Sequence, residues 1–159
     1  GHNYRLTSLA AAIGLAQLNK LDEFTAARRS TAARLTETLA DVDGIVPPTE
    51  PEGFRHVYHQ YTVRADDREA FESYLDDAGV DTAVYYPTPI HRQPPYADHE
   101  PTAPEAEAAA ESVVSLPVHP GLSDREIDRL MTILQAYDRL EDPVDAGPPA
   151  TAEGEGADD

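Results

Sequence analysis

Two short stretches of this chain carry side chains suited to gripping anions and sugars. The first is Gly1-His2-Asn3-Tyr4-Arg5-Leu6-Thr7, a polar turn that runs into an alanine-rich segment. A helix starting near Thr7 or Ser8 would aim its unpaired amides, and the positive end of its dipole, at whatever lies in front of it. Asn3 can donate from its side-chain amide, and Arg5 can pair bidentately with a phosphate or a carboxylate. The same spacing also serves ordinary helix capping beside a surface arginine. The second stretch is Tyr85-Tyr86-Pro87-Thr88-Pro89-Ile90-His91-Arg92-Gln93. Its prolines reduce the freedom of the unbound loop and gather phenol, imidazole, guanidinium and amide groups in one place. Such a loop either hydrogen-bonds a sugar or its phosphate, or is a rigid surface turn with an exposed histidine.

Residue types exclude several other chemistries. The chain has no cysteine, which removes disulfides, thiolate nucleophiles and cysteine-based zinc sites. No serine sits in a nucleophile elbow, and no carboxylate pair stands out from the acidic background. His56 and His59 fall in a segment that reads as a strand, where their spacing puts them on opposite faces and unsuited to one metal ion. His59 is expected to be a satisfied core histidine, and His119, between Pro117 and Pro120, a turn residue. Lys20 is the only lysine, and a Schiff-base role would require burial or a cationic neighbour. Beside Asn19, Asp22 and Glu23 it reads as solvated. Neither a metal site nor a self-sufficient catalytic apparatus is expected.

The elements that must position these groups follow from periodicity and capping. A first helix is predicted from Thr7 or Ser8 to about Ala40. Leu9, Ala12, Ile13 and Ala16 form one apolar row and Leu15, Leu18 and Leu21 another, so its first half should be buried on more than one side. From Arg28 onward, arginines, threonines and glutamates predict a solvated arm, ended by Gly44 and Pro47-Pro48. A Pro-rich connection over 45–55 precedes a strand from Val57 to Arg64. Asp66 and Glu69 suggest a capping box for a helix with Phe71, Leu75 and Ala78 inward, closed by Gly79. A strand over Thr82–Tyr86 leads to the proline loop. Pro104 opens a helix to about Val114, and Ser115-Leu116-Pro117 is a short strand. Ser123 with Glu126 caps a last helix whose inner face holds Ile127, Leu130, Met131, Leu134 and Tyr137. The sum is a small α+β layer spanning 1–141. Residues 142–159 turn to Pro, Gly, Ala and acids and are expected to be a disordered acidic tail.

Length and charge bound the rest. At 159 residues the chain suits one domain. Thirty acidic against twelve basic residues give a net charge of −18, and only seven of the acids lie from Glu141 onward. Phosphodiester backbones would repel this surface, so nucleic acid is not an expected partner. A heavily carboxylated surface in which arginine replaces lysine fits work in high salt, where screening suppresses self-repulsion. The longest strictly apolar stretch, Leu9 to Ala16, falls far short of a membrane span. With no leader-like segment before it, a cytoplasmic, membrane-free protein is expected. Functional polar groups at the extreme front of a chain that begins at Gly1 suggest the C-terminal piece of a longer protein, with a half-site at its cut edge.

Taken together the segments resemble the DegT/DnrJ/StrS family of pyridoxal phosphate (PLP)-dependent sugar aminotransferases. The resemblance is carried by Gly1-x-Asn3-Tyr4-Arg5-Leu6-Thr7, by Ala11-Ala12-Ile13-Gly14-Leu15-Ala16-Gln17-Leu18 and by Val57-Tyr58-His59-Gln60-Tyr61. It continues through Tyr86-Pro87-x-Pro89-x-His91-x-Gln93-Pro94 and Ser115-Leu116-Pro117-x-His119-Pro120-Gly121-Leu122, in family order, over about 1–140. It implies the small C-terminal domain of the type I aminotransferase fold and a homodimer with shared active sites. The implied reaction moves an amino group, commonly from glutamate, to a keto-sugar attached to a nucleotide. By the same resemblance Asn3 matches the residue that reaches the partner's PLP phosphate, and Arg5 lines the site wall. Tyr86 and His91 match positions that contact the sugar-nucleotide. The family's Schiff-base lysine, its pyridinium-pairing aspartate and its ring-stacking aromatic have no counterpart here, and Lys20 does not match the lysine. No catalytic residue is therefore assigned, and the chain alone is expected to be inactive. A dehydratase of the same family, or a non-catalytic module that keeps the fold, are the other readings.

Overall fold

The computed structural model describes residues 5–99 and 102–141. Asn3 and the stretch 142–159, expected to be a tail, lie outside the described residues. Helix α1 spans Ser8–Leu18 and α2 spans Leu21–Leu39, so the single long helix expected from the sequence is broken at Asn19 and Lys20. Thr7 caps α1, its hydroxyl accepting from the Ala10 amide at 3.2 Å.

Within this chain the burial of the pair differs from the expectation, although an apolar first helix was also expected to turn part of its surface toward upstream residues or a subunit. No residue of α1 is buried, and Leu9 and Leu15 are 73% and 67% exposed. In α2, expected to be a solvated arm from Arg28 onward, Thr31, Ala32, Leu35 and Leu39 are buried, as is Thr25 before that point. Ala32, Leu35 and Leu39 recur at helical spacing and form a narrow core stripe among polar neighbours. Arg28, Arg29 and Arg34 project away from that stripe and bond to Val57, Glu50 and Asp128 instead.

Three antiparallel strands form the sheet, in the order β1 (Ile45–Val46), β2 (Tyr61–Ala65), β3 (Val113–Leu116). Tyr61 pairs with Leu116 and Val63 with Val114, which puts these four apolar side chains on one face. That face, with Ala65, packs on α2, on Phe71 and Leu75 of α3 (Arg68–Asp77), and on α5 (Asp124–Glu141). Ala83 bridges Ser115 on the outer side of β3, all that forms of the strand expected over Thr82–Tyr86. The strand expected from Val57 begins only at Tyr61, because Tyr58 takes a left-handed φ of 46°. His56 Nδ1 accepts from the Tyr58 amide at 2.9 Å and fixes that bend. With the strand cut short, His59 is exposed and is not the core histidine expected.

The local signals elsewhere hold. Asp67, one residue after the expected Asp66, caps α3 by accepting from the Ala70 amide, and Gly79 closes the helix at φ +70°. Pro104 opens α4 (Pro104–Ser112), which runs directly into β3. The Ser123–Glu126 box is reciprocal: the Ser123 amide donates to Glu126 at 2.8 Å, and the Glu126 amide donates to Ser123 Oγ at 3.3 Å. All five apolar residues expected on the inner face of α5 are buried.

Candidate functional site

The proline loop is ordered by short-range bonds before anything else touches it. Ile90–Arg92 forms a 3-10 turn after Pro89, with Arg92 N donating to Pro89 O and Gln93 N to Ile90 O. The Gln93 side-chain amide donates back to Thr88 O at 3.2 Å. A second 3-10 turn covers Pro94–His99. Tyr86, at the loop's entrance, is 76% exposed.

His91 does not hang free. Its Nε2 lies 2.6 Å from Oε1 of Glu107, on α4, and Arg92 Nη2 donates to that same oxygen at 3.0 Å. The hydrogen bond from His91 is the largest influence holding the Glu107 carboxyl below the ordinary carboxylate range; Arg92 adds to it and partial burial opposes it. Glu107 is sixteen residues from His91 along the chain, and nothing in the local sequence marks it. Only the return of α4 beside the loop makes the pair.

Beside the loop, a cavity of about 470 Å³ opens between the start of β2 and the turn after β3. His59, Gln60, Thr82, Tyr85, Ser115 and His119 line it. Ser115 is tied to Thr62 across the sheet at 2.8 Å, and His119 Nδ1 accepts from the Gly121 amide at 3.2 Å. Tyr85 thus joins this hollow to the Tyr86–His91 loop. The sequence kept His59 and His119 apart as a core and a turn residue; the fold places both on one rim.

At the other expected site, Arg5 is exposed and makes no hydrogen bond or ion pair among the described residues. Thr7 satisfies the Ala10 amide, which leaves the Ser8 and Leu9 amides without helical partners. No hydrogen bond or ion pair among the described residues links Arg5 to Tyr86 or His91. Lys20 is exposed at the junction of α1 and α2. These donors suit the anionic end of a phosphorylated cofactor. They do not suit its reactive end, because the only lysine is a solvated one. Among the described residues no group of histidines and carboxylates could hold a metal ion, and no helix is long and apolar enough to cross a membrane.

Comparison with known proteins places this geometry. The UDP-2-acetamido-2-deoxy-3-oxo-D-glucuronate aminotransferase of Pseudomonas aeruginosa is 43% identical over 127 residues, 80% of this chain and 35% of that protein. A pleiotropic regulatory protein of Geobacillus stearothermophilus is 41% identical over 131 residues, 79% of this chain and 35% of its own. Among solved structures, DesV of S. venezuelae superposes with a TM-score of 0.82 at 34% identity, covering 87% of this chain and 38% of DesV. The chain therefore spans somewhat over a third of the length of the relatives it matches. The small sheet flanked by helices is the corresponding portion of the sugar aminotransferase fold. Residues 1–135 match the family model, and the chain belongs to the DegT/DnrJ/EryC1/StrS aminotransferase family.

Proposed function

We propose that this chain is the C-terminal part of a PLP-dependent aminotransferase that moves an amino group, from glutamate, to a nucleotide-linked keto-sugar in the cytoplasm. In this reading residues 1–141 are the small domain of a homodimer whose two active sites are shared. The observation that carries it is the family match along nearly the whole folded body, together with the agreement in fold with DesV.

Bound PLP supplies the electron sink through which the amino group passes between donor and keto-sugar. The chain's own residues bind and orient. Asn3, with the Ser8 and Leu9 amides of α1, holds the cofactor phosphate of the partner subunit, where a helix N-terminus favours an anion, and Arg5 lines the wall of that cofactor site. Tyr86 and His91 contact the sugar-nucleotide from a loop already fixed by its prolines and by Glu107. Preorganisation of that kind lowers the ordering cost of binding. No residue described here carries out the chemical step, so the chain alone is inactive.

The test has two arms. The 159-residue chain mixed with PLP should show no visible absorption band of protein-bound cofactor and no transamination. Joined to the N-terminal part of its polypeptide it should do both. A band from the chain alone that Lys20→Ala abolishes would overturn the proposal. So would a complete protein that binds no PLP, the outcome a non-catalytic module gives. A complete protein that binds PLP but eliminates water from the sugar instead of aminating it is the dehydratase.

A further inference from the structure

We propose that Glu107 is the positioning residue for His91, fixing the imidazole so that Nδ1 is the ring atom offered to a hydroxyl of the sugar substrate. This rests on the reading of His91 as a substrate-contacting residue.

Two levels of restraint act on His91. The backbone is held by the 3-10 turn, through Arg92 N to Pro89 O and Gln93 N to Ile90 O, and by the Gln93 side chain on Thr88 O. None of these bonds controls the direction of the ring. Glu107 does, with a contact of 2.6 Å to Nε2, short enough for a charge-assisted bond. The ring is largely covered, its side chain 13% exposed against 32% for Glu107.

An ionised carboxylate only accepts, so the hydrogen in this contact sits on Nε2. Nδ1 is then the free ring atom, a lone pair in the neutral ring and a second N–H donor in the protonated one. A lone pair takes a hydrogen bond from a hydroxyl donor and is repelled by a bare phosphate oxygen. A sugar hydroxyl, which both donates and accepts, matches Nδ1 in either form and is the group we assign to His91. Arg92 shares the same Glu107 oxygen at 3.0 Å, so the loop's guanidinium is neutralised at the latch as well. The carboxyl of Glu107 is kept ionised by these same contacts, which lower its pKa. The acceptor role therefore persists at neutral pH.

The experiment is a double-mutant cycle in the complete enzyme, read by steady-state kinetics with the keto-sugar nucleotide and checked for folding by thermal melting. Glu107→Ala should raise KM for the sugar nucleotide about tenfold and leave kcat and KM for the amino donor within about twofold. Glu107→Gln, whose amide oxygen still accepts, should bring KM back to within about threefold of the parent. In the His91→Ala background Glu107→Ala should change KM no further, because the two residues act as one unit. An equal rise in both backgrounds would overturn the inference, since Glu107 would then act elsewhere. So would an unchanged KM in Glu107→Ala beside a raised one in His91→Ala. If His91→Ala itself leaves KM unchanged, the substrate contact assigned to His91 falls, and the positioning role falls with it.

Discussion

Helix α1 should drive this chain to associate when it stands alone, and the size of the effect can be worked from its exposure. Leu9, Ile13, Leu15 and Leu18 of α1, with Leu21 at the start of α2, are between 48% and 73% exposed, and those of α1 surround the helix instead of lining one side. Fully burying an aliphatic side chain stabilises by about 2 kcal/mol, so covering what these five leave open is worth roughly 6 kcal/mol per chain. Copies wrapping α1 from more than one side would gain roughly 12 kcal/mol gross for each two chains, of which about half is lost to the freedom given up on association. What remains corresponds to a Kd of tens of micromolar, on the order of 10⁻⁵ M. A net charge of −18 on each copy opposes the contact, and salt screens that repulsion. Sedimentation velocity from about 5 to 200 µM should therefore show a rising weight-average mass, steeper at 1 M than at 0.1 M NaCl. Replacing Leu9, Leu15 and Leu18 by glutamate should return a monomer with unchanged melting temperature, because none of the three supports the core. A wild-type chain that stays monomeric at the top of this range in high salt would refute the reasoning.

Two further tests probe the core and the cap. Glu126→Gln at the reciprocal cap of α5 should lower stability at neutral pH. The Ser123 bonds hold the Glu126 carboxyl below the ordinary range, so that stabilisation is complete above the usual glutamate pKa and lost as pH falls through the lower folded value. The gap between parent and variant in urea melts should close in acid. Tyr61 is fully buried with its hydroxyl 2.8 Å from Thr36 Oγ1, and burial pushes its pKa up to about 12. A phenol with a raised pKa stabilises below its unfolded value of about 10 and loses that contribution as pH climbs from there toward the folded value. Tyr61→Phe should cost about 1 kcal/mol at pH 7 and flatten the alkaline loss, as denaturant melts across that range would show.

The fold was legible wherever one local signal decided the outcome. The α5 stripe, the Ser123–Glu126 box, Pro104 at the start of α4 and Gly79 at the end of α3 all stand where their neighbours in sequence put them. Failure came where tertiary contact outweighs local composition. The core stripe Ala32–Leu35–Leu39 is hidden among arginines and threonines, and only the presence of α5 and the sheet shows which side of α2 is inward. The apolar rows of α1 were read as buried, in part against upstream residues or a subunit, and no residue of α1 is buried among the described residues. Tyr58 broke the expected strand through its amide's bond to the His56 side chain, which alternation cannot reveal. At the site, the loop with Tyr86 and His91 was legible from its prolines, whereas the partner Glu107 and the hollow shared by His59 and His119 depend on chain returns of sixteen to sixty residues.

The break at Asn19 and Lys20 divides two helices with opposite allegiance. In packing terms α2 is a member of this body, sealing its sheet, while α1 is a guest that adds no buried residue to its core. On the proposed reading, in which the N-terminal part of the enzyme covers α1, a swap of C-terminal portions between relatives would join best at that turn, and α1 would travel with that part. A junction placed ahead of α1 would import an apolar rod shaped for a foreign socket, and we expect such hybrids to express poorly even where the recipient retains its own lysine and cofactor.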